Sequence, residues 1–416
     1  MNEILKARER RYHLIQSKDF SKYQVIVIKA NIPGPNKNIK EAYLLIKIFK
    51  NIVAKEIKLV DLNYVDESDG PYYLLVIHPL KDLKLKLIDI ENNHPLGRLI
   101  DLDLFINASK SVSRNELGIS SRKCLICNRD AILCSRGQIH SYVEIIKEIE
   151  NKVESYLETT FNEKLKEAIY LELNMDFKFG LVTPTSSGSH SDMNYHLMAK
   201  SIDAILPYLV KMAMVGYHKE LEGAYEEAIT IGIDAEKAML AVTNNINTYK
   251  GLIFILGLAS LSMGYALSNN QGYAHLYTNI QAISKDIFKK EINKSFGKYA
   301  YLEYGFTGAR GEAHSGLFTV AKLVEFFEFN GITSNSLHMG LIKAIAISND
   351  SVLLKRAGSM EKYQYFKNLI ISIQEYNIEE IKVVTRECIN NNISCGGAAD
   401  ILITALFIYN CKKIFW

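Results

Sequence analysis

Strand signals in this chain end near Phe105, and helical spacing runs from Ser141 to the C-terminus. Mixed strands and helices followed by helices alone describe an α+β domain and then a larger all-α domain. The length of 416 residues agrees, because a single core seldom grows that large. We place the two domains at residues 1–148 and 149–416. In the first, residues 1–20 have helical spacing and a basic face, and Tyr23–Lys29 alternates like a strand. Ile39–Ile52 is helical, and Tyr72–Ile77 and Leu83–Glu91 alternate as further strands. Ser141–Leu173 holds neither Gly nor Pro and reads as one long helix, so no flexible linker joins the domains. After it, helices are expected over Asn194–Lys219, Leu221–Ile231, Asp234–Thr243, Leu252–Ser268, Gln271–Glu291, Phe318–Phe329, Ser336–Ser348, Tyr363–Tyr376, Ile378–Ile389 and Ala398–Cys411.

A net charge of +3 is too small to imply a nucleic-acid or membrane partner, so anion binding must come from local clusters of Lys and Arg. The N-terminal residues are charged throughout and lack an apolar signal core. Gly251–Ser268 is uncharged, but it carries three glycines and three serines and reads as a buried core helix. The compartment implied is the cytoplasm. Three of the six cysteines cluster at Cys124, Cys127 and Cys134, which points to thiols or a metal rather than disulfides.

The first chemical signal is Asp101-Leu-Asp103. On a strand both carboxylates face one side with Cβ atoms roughly 6.5–7 Å apart, a spacing at which they can share Mg²⁺. Two solvated aspartates on an edge strand would show the same pattern. Gly97 and Arg98 precede the pair, and Arg98 is a bidentate phosphate donor by type. Arg114, Arg122, Arg129 and Arg136 add positive charge suited to a polyphosphate. Cys124-x2-Cys127, Cys134 and His140 have the ligand types of a structural zinc site, but the second half departs from the usual spacings. Zinc and reduced, partly buried thiols both fit.

In the helical part, five polar loops carry the chemistry-bearing residues. Gly180–His196 presents His190 and Asp192 at a helix start, where free N–H groups attract anions. Asn244–Gly251 brings Lys250, Thr307–Gly316 brings Arg310 and Glu312, Asp350–Gly358 brings Arg356, and Ser394–Asp400 ends on Asp400. Lys and Arg suit a triphosphate, and Asp and Glu suit its Mg²⁺. Each loop alone could be capping chemistry; five in one domain point to a convergent site.

The motifs of residues 1–145, above all His94-Pro-Leu-Gly-Arg-Leu-x-Asp-x-Asp103, Asn31–Lys37 and Arg122-x-Cys-Leu-x-Cys, resemble the phosphoribosyl-dephospho-CoA transferase of citrate lyase. Gly180-Leu-Val through Gly188-x-His-x-Asp-Met193, Asn247-Thr-x-Lys-Gly251, Gly308-Ala-Arg-Gly-Glu-Ala313 and Gly396-Gly-Ala-Ala-Asp400 resemble triphosphoribosyl-dephospho-CoA synthase over about 160–411. The first resemblance implies a nucleotidyltransferase-type domain that modifies a serine of the apo acyl carrier protein, the gamma subunit of citrate lyase, and expels pyrophosphate. The second implies that ATP and 3′-dephospho-CoA combine with loss of adenine, a ribose hydroxyl attacking C1′ of the ATP ribose.

Under those resemblances Asp101 and Asp103 hold Mg²⁺ in the first domain, with Arg98 and Arg114 on phosphates. In the second, Lys250, Arg310 and Arg356 bind phosphates, Asp192 and Asp400 hold metal, and Asp192, Glu312 and His190 are the candidates for acid–base work. The chain departs from the synthase pattern at Phe179 and Cys395, where proline is usual, at Tyr249, where histidine is usual, and at Val352, where asparagine is usual. Three rival readings remain: a single-activity transferase with a degenerate second domain, a homologue serving malonate decarboxylase, and a zinc-stabilised binding protein.

Overall fold

Residues 2–288 and 296–416 are described by a computed structural model. Its N-terminal part runs α1 (Asn2–Gln16), β1 (Gln24–Ala30), α2 (Lys40–Glu56), β2 (Leu59–Val65), β3 (Tyr72–Ile77), α3 (Leu83–Asn93), β4 (Ile100–Phe105), α4 (Ala131–Arg136) and α5 (Tyr142–Leu173). The four strands form one antiparallel sheet in the order β2-β3-β1-β4. The expected α+β character of this part is present. One face packs Val25, Val27, Tyr72, Leu74 and Val76 against Ile15 of α1.

Leu83–Glu91 is a helix, α3, and not a strand. Its Leu–Lys alternation mimics a period of two, yet the buried residues are Leu83, Lys84, Leu87, Ile88 and Glu91, a helical stripe. Two of these are charged for a reason. Strand β4 is an edge strand whose Leu102 would leave backbone groups unpaired. Glu91 accepts from the Leu102 N–H at 2.9 Å and Lys84 donates to its carbonyl at 2.7 Å. Strand β2 carries too few buried residues to be legible; its pairing with β3 decides it.

Chain contacts divide the molecule between Thr159 and Thr160, inside α5. One unit holds the residues up to Thr159 with Leu267–Asn270 and Lys413–Trp416, and the other holds Thr160–Ala266 and Gln271–Lys412. The second unit is mostly helical: α6 (Tyr195–His218), α7 (Leu221–Val242), α8 (Lys250–Ser268), α9 (His275–Ser284), α10 (Phe296–Tyr304), α11 (Gly308–His314), α12 (Phe318–Asn330), α13 (Ser334–Ile347), α14 (Ser351–Ala357), α15 (Met360–Ile371), α16 (Ile378–Asn390) and α17 (Gly396–Phe415).

The helices expected over Leu221–Ile231 and Asp234–Thr243 are one, because Gly232 continues α7. The last residues of the helix expected over Gln271–Glu291 lie outside the described residues. Two segments read as loops are short helices, α11 and α14. The second has its cap and stop in the sequence: Asp350 accepts from the N–H groups of Val352 and Leu353, and Gly358 ends the helix at φ +75°.

Among the described residues α8 is the one single helix long and apolar enough to cross a membrane, and 78% of its most apolar window is buried. It crosses α6 at unusually close range. A Cβ on Gly216 would lie 2.0 Å from the Leu261 carbonyl, and one on Gly264 would lie 1.8 Å from that of Ala213. This crossing fixes α8, whose N-terminus meets the cavity described next.

Candidate functional site

In the helical unit His190, Asp192, Lys250, Arg356 and Asp400 line one cavity of about 610 Å³. Lys250 and Arg310 line a second of about 400 Å³, and Glu312 and Asp400 a third of about 310 Å³. Gly251 borders all three. The five polar segments therefore converge on the N-terminus of α8, where free peptide N–H groups and the helix dipole favour an anion.

Close packing explains the glycine. A Cβ at Gly251 would sit 2.2 Å from Oδ2 of Asp400, so the Asp400 carboxylate lies directly over the first turn of α8. Burial raises the pKa of Asp400 well above the usual carboxylate range, with the charges of Asp350 and Glu172 adding to it.

Other carboxylates are committed to the scaffold. Asp350 is buried, caps α14 and accepts from Ala398 N–H at 3.0 Å, so it ties α14 to the start of α17. Glu312 Oε1 accepts from the N–H groups of Thr319 and Val320 at 2.7 and 3.1 Å, which caps the start of α12. Burial raises its pKa despite those bonds. Asp192 is exposed at the cavity rim.

His190 has both ring nitrogens engaged. Nδ1 faces Arg356 Nη2 at 2.7 Å and Nε2 faces Ser394 Oγ at 3.0 Å, while Arg356 Nη1 donates to the Ser189 carbonyl at 2.9 Å. A guanidinium can only donate, so Nδ1 accepts and the ring is neutral. Burial, with Arg356 second, pulls its pKa down to about 4. Lys250 pairs with Glu236, while Arg310 Nη1 is buried without a partner.

Three cavity residues are absent from the sequence-level assignment or given no role there. Glu172 and Lys178 form a buried ion pair at 2.7 Å with side-chain exposures of 4% and 1%. The sequence signal for it is a lysine held between Phe177 and Phe179. Tyr249 is 3% exposed and its hydroxyl has no partner. Burial raises its pKa well above 10, with Glu172 and Asp400 contributing, so the phenol keeps its proton. Phe179 adopts φ +48°, which proline cannot, and its N–H donates to Thr385 Oγ1 at 3.2 Å. The departure from proline is therefore built into the local backbone.

In the N-terminal unit Asp101 and Asp103 lie on one face of β4, in register with Lys29 and Val27 of β1. Arg122 pairs with Asp101 and, at 2.6 Å, with Glu91; Arg114 pairs with Glu91 at 2.5 Å. The pKa of Asp103 rises through burial and the charge of Asp101, a repulsion that a divalent cation between them would relieve. Two protein carboxylates with water and substrate oxygens are an ordinary Mg²⁺ donor set. Lys29 shares this face, its ammonium paired with Asp69 at 3.4 Å and its pKa pulled down to about 8 by burial and by nearby Arg11. Alternation along β1 puts it there.

Arg98 is elsewhere. It lines a cavity of about 550 Å³ with Cys124, Cys134 and His140, and its Nε and Nη1 are buried without partners. Arg129 and Arg136 are exposed. Among the described residues, the one group of three or more Cys, His, Asp or Glu donors close enough to hold a metal is Cys124, Cys127, Cys134 and His140.

Residues 1–156 match the family model for apo-citrate lyase phosphoribosyl-dephospho-CoA transferase, and residues 158–416 match that for ATP:dephospho-CoA triphosphoribosyl transferase. Protein CitXG of Leuconostoc mesenteroides subsp. cremoris is 31% identical over 92% of this chain and 90% of its own length. Protein CitXG of Haemophilus influenzae is 27% identical over 99% and 96%. A 2-(5''-triphosphoribosyl)-3'-dephosphocoenzyme-A synthase of Haemophilus ducreyi is 28% identical over 68% of this chain and 98% of its own length.

Proposed function

We propose a division of labour between two sites in a chain that belongs to the fused family of apo-citrate lyase phosphoribosyl-dephospho-CoA transferase and ATP:dephospho-CoA triphosphoribosyl transferase. The protein is an enzyme, a transferase, that synthesises the citrate lyase prosthetic group and transfers it. Our reading assigns synthesis to the helical unit and transfer to the α+β unit. The observation that carries it is the convergence of three cavities on Gly251, with Lys250, Arg310, Arg356 and Asp400 around them.

In the helical unit the triphosphate of ATP lies against the N-terminus of α8, held by Lys250 and by the unpartnered Arg310 Nη1. His190 is a positioning residue: neutral, it accepts from Arg356 and holds that guanidinium at the cavity wall. A ribose 2′-hydroxyl of 3′-dephospho-CoA attacks C1′ of the ATP ribose, the bond from C1′ to adenine N9 breaks, and the hydroxyl proton must leave as adenine gains one. Tyr249 and Asp400 are the groups beside the reacting atoms. Each has a raised pKa, so each can donate to the departing base. Asp192 at the rim would hold Mg²⁺ on the phosphates.

In the α+β unit Asp101 and Asp103 would hold Mg²⁺, which would neutralise charge on the triphosphate under attack. Lys29 and Arg122 flank the pair. A serine hydroxyl of the apo acyl carrier protein attacks the α-phosphorus, a P–O bond forms and pyrophosphate leaves. Both steps use cytoplasmic metabolites, and we place the protein there.

The experiment is a split assay. Asp103→Asn should abolish modification of the carrier supplied with finished intermediate while adenine release from ATP and dephospho-CoA stays within about twofold. Asp400→Asn should do the reverse. Loss of both activities in either soluble, folded variant contradicts the two-site reading.

A further inference from the structure

We propose that Cys124, Cys127, Cys134 and His140 bind a structural zinc ion, and that this ion holds Arg98 in place at the neighbouring cavity. The four donor atoms all lie within 4.8 Å of one another. Cys127 Sγ is 3.4 Å from Cys134 Sγ and 3.3 Å from His140 Nε2. A tetrahedral zinc with Zn–S near 2.3 Å and Zn–N near 2.0 Å separates its donors by about 3.5–3.8 Å, within a few tenths of an ångström of these two distances and inside the 4.8 Å span of the group. A disulfide needs about 2.05 Å, and all six cysteines are free.

The backbone is shaped for the ion. Lys123 and Asp130 form an antiparallel bridge, Cys124 N–H donates to the Arg129 carbonyl at 2.7 Å, and Ala131 N–H donates to Arg122 at 2.9 Å. The first cysteine pair thus sits on a tight two-stranded knuckle. Helix α4 starts immediately after it and delivers Cys134 from its first turn. Ile139 N–H then turns back to the Cys134 carbonyl at 3.1 Å, which brings His140 to the cluster. This explains how the irregular spacing of the second half still closes one site. The only named elements between Phe105 and Tyr142 are a single 3-10 turn and α4. Such a segment has little core of its own, and metal binding supplies folding energy to segments of that kind.

The link to function is a short path. Arg98 Nη2 donates to the carbonyl of Lys123, the residue before Cys124, and Arg98 lines the same cavity as Cys124, Cys134 and His140. Three thiolates and a neutral imidazole on Zn²⁺ carry one net negative charge, which faces that guanidinium. Zinc therefore fixes both the carbonyl and the field that orient Arg98. The orphaned Arg98 Nε and Nη1 remain available to an anionic ligand in the cavity. This second half of the proposal rests on assigning carrier modification to the α+β unit; the zinc site itself does not.

The full chain, purified under reducing conditions from zinc-supplemented cells, is measured for metal by plasma mass spectrometry. About one zinc per chain is expected, falling below about 0.1 in Cys127→Ser and His140→Ala and retained in His140→Cys, because four thiolates also bind zinc. Cobalt substitution of the wild type should give a tetrahedral thiolate spectrum that Cys127→Ser lacks. Absence of zinc from the wild type, full zinc in Cys127→Ser, or a Cys127–Cys134 disulfide found by peptide mapping would overturn the site. For the link to Arg98, Cys127→Ser supplied with finished intermediate should modify the carrier at least about tenfold more slowly, with adenine release within about twofold. Unchanged carrier modification in the zinc-free variant would overturn that link while leaving the two-site reading intact.

Discussion

Gly251→Ala separates stability from catalysis in the helical unit. A Cβ at this position would stand 2.2 Å from Asp400 Oδ2, whereas ordinary contact begins at 3.4 Å, so the carboxylate must retreat by about 1.2 Å. The backbone itself does not require glycine: residue 251 lies in the first turn of α8 and is not among the positive-φ residues. Alanine should therefore leave helix stability unchanged or raise it by up to about 1 kcal/mol, an upper limit that any unrelieved contact would reduce. Misplacing a reacting group by about 1 Å can cost roughly 10²-fold in rate, about 2.7 kcal/mol of barrier. The assay is adenine release followed by liquid chromatography, with thermal unfolding on the same preparation. We predict a rate down about 100-fold with Tm unchanged or raised, and normal carrier modification from supplied intermediate. Adenine release within threefold of wild type would refute the placement of Asp400 at the reacting atoms. A Tm lowered by many degrees would show that the carboxylate cannot move.

Tyr249→Phe removes an orphaned hydroxyl without leaving a cavity, so stability should hold or rise slightly, while kcat for adenine release falls about 10²-fold or more. Retained kcat would remove Tyr249 from the reaction. The depressed pKa of His190 sets a pH dependence: the unfolded chain takes up a proton near pH 6.5 and the folded chain only near 4, so stability falls as pH drops through that window. Allowing for partial exposure of the ring, the loss should be about 1–2 kcal/mol between pH 6.5 and 4.5. Urea unfolding across that range should show a shallower slope for His190→Gln; equal slopes would contradict a neutral His190 held by Arg356.

The sequence was most informative where one residue type has one physical use. Alternation in Ile100–Phe105 puts both aspartates on one face, and the five polar segments form walls of adjoining cavities. It misled where a local pattern had two uses. In Leu83–Glu91 the helical stripe is masked because two of its buried positions, Lys84 and Glu91, are charged to serve the edge of β4, a requirement set by tertiary structure. Glu312 reads as a candidate for acid–base work, and the fold adds a second use that the sequence does not display, since its Oε1 caps the start of α12. The Glu172–Lys178 pair and the orphaned Tyr249 hydroxyl were invisible as roles, because burial creates both.

The central claim, that one chain builds and attaches the prosthetic group, is tested most directly by mass spectrometry of the carrier. The protein is incubated with ATP, dephospho-CoA, Mg²⁺ and the apo acyl carrier protein of citrate lyase. The account predicts a carrier heavier by one phosphoribosyl-dephospho-CoA group, with adenine and pyrophosphate released in equal amounts. An unmodified carrier, even when finished intermediate is added, would contradict it.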